Sequence, residues 1–74
     1  MKTFLIENLR SESHLQRRLA LTELDAWASS TRESYFAAGD ADRIEGIAPI
    51  WKTKDKETAL QILDLAERIR AKIR

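Results

Sequence analysis

The stretch from Ser11 to Ser30 constrains the fold of this chain most, because its apolar residues follow the pattern of a helix with two apolar stripes. At about 100° per residue, the first stripe comprises Leu15, Leu19, Thr22 and Ala26. The second stripe, on roughly the opposite side, comprises Ala20, Leu21, Leu24, Trp27 and Ala28. A surface helix buries one stripe, so a helix with two is either covered on both sides by its own chain or shared with a partner.

The chain has 74 residues and no cysteine. This length predicts a single domain over residues 1–74, which buries only about 60% of its unfolded surface. Without cysteine, neither a disulfide nor a thiolate metal site is available. The longest apolar run is Phe4-Leu5-Ile6, too short for a membrane span or a signal-peptide core. We therefore expect a soluble, intracellular protein.

The first ten residues allow two structures. Their apolar residues suit either a short strand or one amphipathic turn. A strand would need a mate, and the only candidate is Ile47 to Trp51, where Pro49 limits pairing to an edge. An exposed N-terminal arm is the functional alternative, but an arm folded onto the core is favoured.

Capping residues divide the rest of the chain into helices. Ser11 or Ser13 suits the start of the first helix, and Ser29-Ser30-Thr31 predicts a break. Thr31 could cap a further piece that runs to Ala38 and ends at Gly39 in the left-handed conformation. The alternative is one long helix over about residues 12–38.

The second half of the chain contains the clearest helix. Asp40 is expected to cap a short piece over residues 41–45 that Gly46 closes, and Pro49 to keep residues 47–54 out of helical geometry. Residues 55–73 then predict an amphipathic helix, capped or charged at its start by Asp55. One face of this helix carries Ala59, Ile62, Ala66, Ile69 and Ile73. The predicted fold is mostly α, a small single domain of three to four helices, which could include a short N-terminal strand or arm.

The net charge is +1, but the charged residues are unevenly distributed along the chain. Residues 23–45 hold two basic and six acidic groups, whereas residues 1–22 hold four basic and two acidic, and residues 52–74 seven basic and four acidic. We expect the acidic middle and the basic ends to attract each other within the fold. The alternative is that they present opposite-sign patches to a partner.

Side chains that carry chemistry are scarce. His14 is the only histidine and is expected to be solvated, so neither a hydrolytic triad nor an imidazole zinc site can form. Asp40, Asp42 and Glu45 lie close in sequence but lack the ligand alternation of a calcium loop. Two glycines without a following Lys-Ser/Thr exclude a phosphate-binding loop. We predict no enzyme activity, no metal and no cofactor.

Two classes of binding remain. The basic residues of the last helix, with Lys52, Lys54 and Lys56, could line a phosphate track, but acidic residues share the helix and the net charge is near zero. Direct nucleic-acid binding is therefore disfavoured. Trp and Tyr are enriched at binding hot spots, which makes a protein partner the better class. The candidate partner-binding residues are Phe4, Ile6, Leu24, Trp27 and Tyr35. The alternative is that residues 31–51 fold over the second stripe and bury it.

The opening MKTFLIENLR and the following SESHLQRRLALTELDAW helix, in a very small cysteine-free chain, resemble the small RNA-polymerase-binding transcription regulators of lytic Xanthomonas phages. The resemblance implies a phage-encoded protein in the host bacterial cytoplasm that binds the N-terminal region of the polymerase β′ subunit. It further implies inhibition of σ-dependent initiation and promotion of antitermination. No motif transfers individual binding residues. A small DNA-binding repressor, a helical adaptor and a homo-oligomeric interaction protein remain the alternatives, and the oligomeric state is open.

Overall fold

The computed structural model of the chain describes residues 2–30 and 36–73. Five helices lie in these ranges: α1 (Lys2–Asn8), α2 (His14–Ser29), α3 (Ala38–Glu45), the single turn α4 (Ala48–Trp51) and α5 (Lys56–Ile73). No strand is present among the described residues. The mostly α fold is thus confirmed.

The N-terminal segment is a helix, so the strand alternative is wrong. Leu9 follows Ile6 by three residues and Leu5 by four, and all three are buried, which places them on one helical face. That face packs α1 onto α2. The IAPIW stretch that would have paired with a strand forms α4 instead. The segment is therefore folded onto the core, and among its described large apolar residues only Phe4 is largely exposed.

Local capping determines where α2 begins and ends. Ser13 is its N-cap, because the Ser13 hydroxyl accepts a hydrogen bond from the Gln16 backbone N–H at 3.3 Å. The helix ends at Ser29, so the predicted break is confirmed and the long-helix alternative is wrong. Most of the piece predicted from Thr31 onward lies outside the described residues.

The prediction for Gly39 is wrong, since this glycine lies in the first turn of α3 instead of ending a helix. The carboxylate of Asp40 accepts a hydrogen bond from the Ala37 N–H at 2.7 Å and so satisfies a free donor at the helix start. Gly46 does close α3 as expected, although its φ of −64° is right-handed.

Pro49 is also helical, contrary to the prediction for residues 47–54. It occupies the first turn of α4, where a helix needs no backbone donor and the fixed φ of proline is favourable. The chain turns after Trp51, and α5 begins at Lys56. The residue before it, Asp55, is its cap, because the Asp55 carboxylate accepts from the Thr58 N–H at 3.2 Å and from the Thr58 hydroxyl at 2.5 Å. The predicted Asp55 cap is confirmed.

The core lies where α5 packs against α3, α4 and α2. Its fully enclosed large side chains are Leu9, Leu24, Ile44, Ile47, Ile62, Leu65 and Ile69. The second stripe of α2 faces this core, whereas the first stripe faces away from it. Leu15 is 68% exposed and Leu19 58% exposed. The described residues therefore cover one stripe of α2 and leave the other exposed.

Candidate protein-binding surface

The first apolar surface is the open stripe of α2, which we call the outer stripe (Leu15, Leu19, Thr22 and Ala26). All four residues are exposed. Leu15 and Leu19 are one turn apart on the side of the helix opposite the buried Leu21 and Leu24. Exposed single leucines are ordinary, but two adjacent ones on an outward face form a small patch.

The second surface is a groove of about 360 Å³ between α4 and α5. Its apolar lining consists of Ala48, Pro49, Ala59, Leu60 and Leu63, and Glu45, Lys52 and Lys56 complete it. We call this the apolar groove. Leu60 is 58% exposed and Leu63 42% exposed, so apolar area within the groove faces solvent.

Within the apolar groove, α5 contributes one buried and two exposed apolar residues. Ala59 is buried, whereas Leu60 and Leu63, within about one turn of it, face solvent. The single turn of α4 (Ala48–Trp51) lines the other side. Pro49 forms part of this wall.

A cluster around Arg17 fixes the turn between α4 and α5. The guanidinium of Arg17 is buried, 4.0 Å from the centre of the Trp51 ring, and it donates to the carbonyls of Ser11 at 2.9 Å and Glu12 at 3.1 Å. It also reaches the Asp55 carboxylate at 3.3 Å. We call these groups the Arg17 cluster.

Trp51 extends the Arg17 cluster to α1. Its indole N–H donates to the Leu9 carbonyl at 2.7 Å in a buried hydrogen bond. The last residue of α4 and the cap of α5 are therefore both joined to the α1–α2 connection. This holds in place the turn that carries Lys52 and Lys56.

Ion pairs, most of them between helices, engage several of the cationic groups. Lys2 pairs with Asp40 at 2.8 Å, and Arg70 pairs with Asp42 at 2.6 Å and Glu45 at 2.5 Å. Further pairs join Arg18 to Glu57, Arg68 to Asp25 and Arg68 to Asp64. The acidic middle and the basic ends thus attract each other within the fold, as expected.

Three lysines differ from these groups. The ammonium groups of Lys52, Lys54 and Lys56 make no hydrogen bond or ion pair with any residue that the structure describes. All three residues are exposed, and Lys52 and Lys56 line the apolar groove. Glu45, its one acidic lining residue, is already paired with Arg70. The groove is therefore apolar with unneutralised positive charge.

A second groove, between α2 and α5, differs in character. Its volume is about 450 Å³, and its walls bear paired charges, with Arg18 donating to Gln61 at 2.7 Å and Arg68 bonded to Asp25 and Asp64. Several of its polar groups contact one another, so its walls are more polar than those of the apolar groove. Leu60 borders both grooves.

The residues predicted for partner binding do not form one surface. Ile6 is 2% exposed and Leu24 is fully buried, so neither offers contact area to a partner. Leu24 belongs to the second stripe of α2, which faces the core. Trp27 is partly buried against the same core. Phe4 is 65% exposed on α1, and Tyr35 lies outside the described residues.

The sequence reasoning missed Leu15, Leu19, Leu60 and Leu63 as exposed apolar residues. The two-stripe pattern of α2 indicated that one stripe would be left over, but not which one. For α5, the leucines flanking the predicted buried face were the available signal.

The described residues include no group of three or more His, Asp or Glu side chains placed to hold a metal ion. Asp40 is engaged by Lys2. Burial opposes the ionisation of Asp40, but the hydrogen bonds from Lys2 and from the Ala37 N–H outweigh it and lower the pKa of the carboxyl.

Each helix that the structure describes is too short or too polar to cross a membrane. No family model, curated protein or solved structure matches this chain.

Proposed function

We propose that this chain is a non-enzymatic regulator that acts by binding another protein, and that its partner is bacterial RNA polymerase. The single observation that supports protein binding is the pair of uncovered apolar surfaces, the outer stripe and the apolar groove. The choice of polymerase rests on the resemblance of the chain to phage transcription regulators. The proposed contact is the N-terminal region of the β′ subunit, in the host bacterial cytoplasm.

A domain of this size can supply such a contact. A standard interface needs about 800 Å² from each partner, and the accessible surface of the chain is 4933 Å². Leucines that are already solvent-exposed require no unfolding to reach a partner. The apolar groove could hold one or two side chains of the partner as anchors.

The proposed mechanism is steric. Occupancy of a polymerase surface would change σ retention and pausing, which would inhibit σ-dependent initiation and favour antitermination. No bond is made or broken by the small protein, and no cofactor enters the mechanism.

The test is a titration of purified Xanthomonas core RNA polymerase, and of its β′ N-terminal fragment, with the labelled chain at about 150 mM salt. We expect saturable binding that nuclease treatment leaves unchanged. Leu19→Ser and Leu63→Ser each remove one exposed leucine, and at least one of them should weaken binding about tenfold, as for a hot-spot residue. The Lys54→Glu variant, outside both surfaces, is the matched control.

Lack of polymerase binding would refute the proposed partner. Binding that both leucine variants retain in full would refute the proposed surfaces. Each variant is first checked for native helicity, because a loss of binding through unfolding would otherwise imitate a contact.

A small DNA-binding repressor is the second candidate, favoured by the unpaired Lys52, Lys54 and Lys56. A binder driven by phosphate contacts loses orders of magnitude in affinity between about 50 and 200 mM salt. Duplex DNA binding with that salt dependence, together with absent polymerase binding, would favour the repressor. A homo-oligomeric protein would instead gain thermal stability as its concentration rises.

A further inference from the structure

We propose that the apolar groove is the docking site for an acidic amphipathic helix of the partner protein. Leucine-sized side chains of that helix enter the groove beside Leu60 and Leu63, and flanking carboxylates meet Lys52 and Lys56. This inference rests on the proposed function, in that it takes the chain to be a protein ligand, and it specifies the chemistry of what is bound.

The apolar part of the argument comes from the groove's shape. Its floor lies between two helices, and a helix laid along such a groove inserts side chains spaced three and four residues apart. Leu60 and Leu63 have this spacing on α5. Covering them would remove apolar surface from water at about 25 cal/mol per Å².

The acidic residues near the apolar groove are already paired elsewhere, which leaves the two lysines of the groove unneutralised. The acidic residues on the same turn face the other way, because Asp55 bonds to Arg17 and Glu57 pairs with Arg18 on α2. Lys52 and Lys56 therefore present positive charge that nothing in the described chain neutralises. An acidic partner gains attraction there, and a basic one meets like charge.

The same features disfavour a nucleic acid in the groove. A phosphate backbone would meet the two lysines but leave Leu60 and Leu63 uncovered. Nucleic-acid surfaces collect many cations along one face, whereas most of the arginines that the structure describes are in internal ion pairs.

The experiment selects binders from a displayed library of random peptides of about 16 residues, with the full chain as target. We expect the selected peptides to be rich in Asp and Glu beside leucine-like residues spaced three or four apart. Their affinity is then measured, as synthetic peptides, for the wild type and for five variants that each change one exposed side chain.

The variants form a matched pair of leucine changes and a matched set of three lysine changes. Leu63→Ser should weaken peptide binding about tenfold, and Leu19→Ser, the same change on the outer stripe, by less than about twofold. Lys52→Glu and Lys56→Glu should each weaken it about three- to tenfold. Lys54→Glu, the same charge change in the same turn but outside the groove, should have less than about half of that effect.

Four results would overturn the proposal: no selected binder, binders without acidic enrichment, binding lost in Leu19→Ser but kept in Leu63→Ser, or equal effects of all three lysine changes. Sedimentation of the free chain tests the remaining alternative, in which a second copy of the chain occupies the groove. If the wild type self-associates and Leu63→Ser abolishes that, a second copy fills the groove.

The two proposals can fail separately. If polymerase binds Leu63→Ser and Lys56→Glu as tightly as the wild type, the proposed function stands and the groove is not the docking site. If acidic peptides bind the groove while polymerase does not bind at all, the docking site stands and the partner is a different protein.

Discussion

The two ends of α5 are both basic in sequence, yet the structure treats their charges differently. Near the C-terminal end, Arg68 and Arg70 reach acidic groups on α2 and α3. Near the N-terminal end, Lys54 and Lys56 reach no described group. The guanidinium groups hold helices together, whereas the ammonium groups stay in solvent.

This difference agrees with the chemistry of the two side chains. A guanidinium has a planar set of donors that binds two acceptors at once, as Arg70 does with Asp42 and Glu45. A lysine ammonium is a compact, strongly hydrated charge that is less costly to leave exposed. At the two ends of α5, the arginines therefore stabilise the fold, whereas the lysines are available for binding. The rule is local, because Lys2 on α1 pairs with Asp40 on α3.

The largest expected effect is at Arg17, the most buried cation. Arg17→Ala would leave the carbonyls of Ser11 and Glu12 without their donor and remove the support of Trp51 and Asp55. We expect the free energy of unfolding to fall by about 3 kcal/mol, measured by urea unfolding followed by circular dichroism. Arg17→Lys keeps the charge and should recover part of the loss. An Arg17→Ala variant with wild-type stability would contradict the role assigned to the Arg17 cluster.

A smaller effect is expected when the same cluster loses a neutral hydrogen bond. Trp51→Phe keeps an aromatic ring beneath Arg17 but removes the donor to the Leu9 carbonyl. The free energy of unfolding should fall by about 1 to 2 kcal/mol, as measured by the urea midpoint. An unchanged midpoint would show that the buried carbonyl finds another donor.

A still smaller contrast tests the two ends of α5 directly. Arg68→Ala should reduce the free energy of unfolding by about 0.5 to 1 kcal/mol, because its ion pairs are partly solvated. Lys56→Ala should change it by less than about 0.5 kcal/mol. Thermal melts of both variants under identical salt provide the measurement. Equal destabilisation by the two changes would remove the distinction between structural and available charge.

The smallest effect is expected in acid. The pKa of Asp40 and that of Asp55 are lowered, the latter by its hydrogen bonds from Thr58 and Arg17. Carboxyls with a lowered pKa add stability above the unfolded pKa of about 4, and this stability is lost as the pH falls below it. Between about pH 6 and pH 3, Asp40→Asn should therefore lose less stability than the wild type. An identical loss in both would show that Asp40 does not contribute.

Local signals in the sequence predicted much of the fold. Ser13 and Asp55 are caps whose side chains bond to the backbone three residues ahead, so their function depends on neighbours in sequence alone. The pair Asp64 and Arg68 also follows from spacing within one helix. Pro49 was misjudged because the same residue breaks a helix interior and favours a helix start.

The candidate site was harder to predict, because it depends on which helices meet. Which stripe of α2 is buried is decided by the positions of α1 and α5, and periodicity does not contain that information. The sequence likewise does not show that Lys52 and Lys56 are unpaired, because this depends on Asp55 and Glu57 pairing with arginines of α2. Tyr35 lies outside the described residues, and its predicted role stays a prediction.

The bond between the Trp51 indole and the Leu9 carbonyl has a consequence for how the domain opens. It joins positions 42 residues apart, so the amino-terminal helix cannot detach without disturbing the support of the turn before α5. Backbone amides in α1 and at the start of α5 should then exchange with solvent in one concerted event, instead of the short first helix fraying alone. The first ten residues therefore help to hold the turn between α4 and α5 in place.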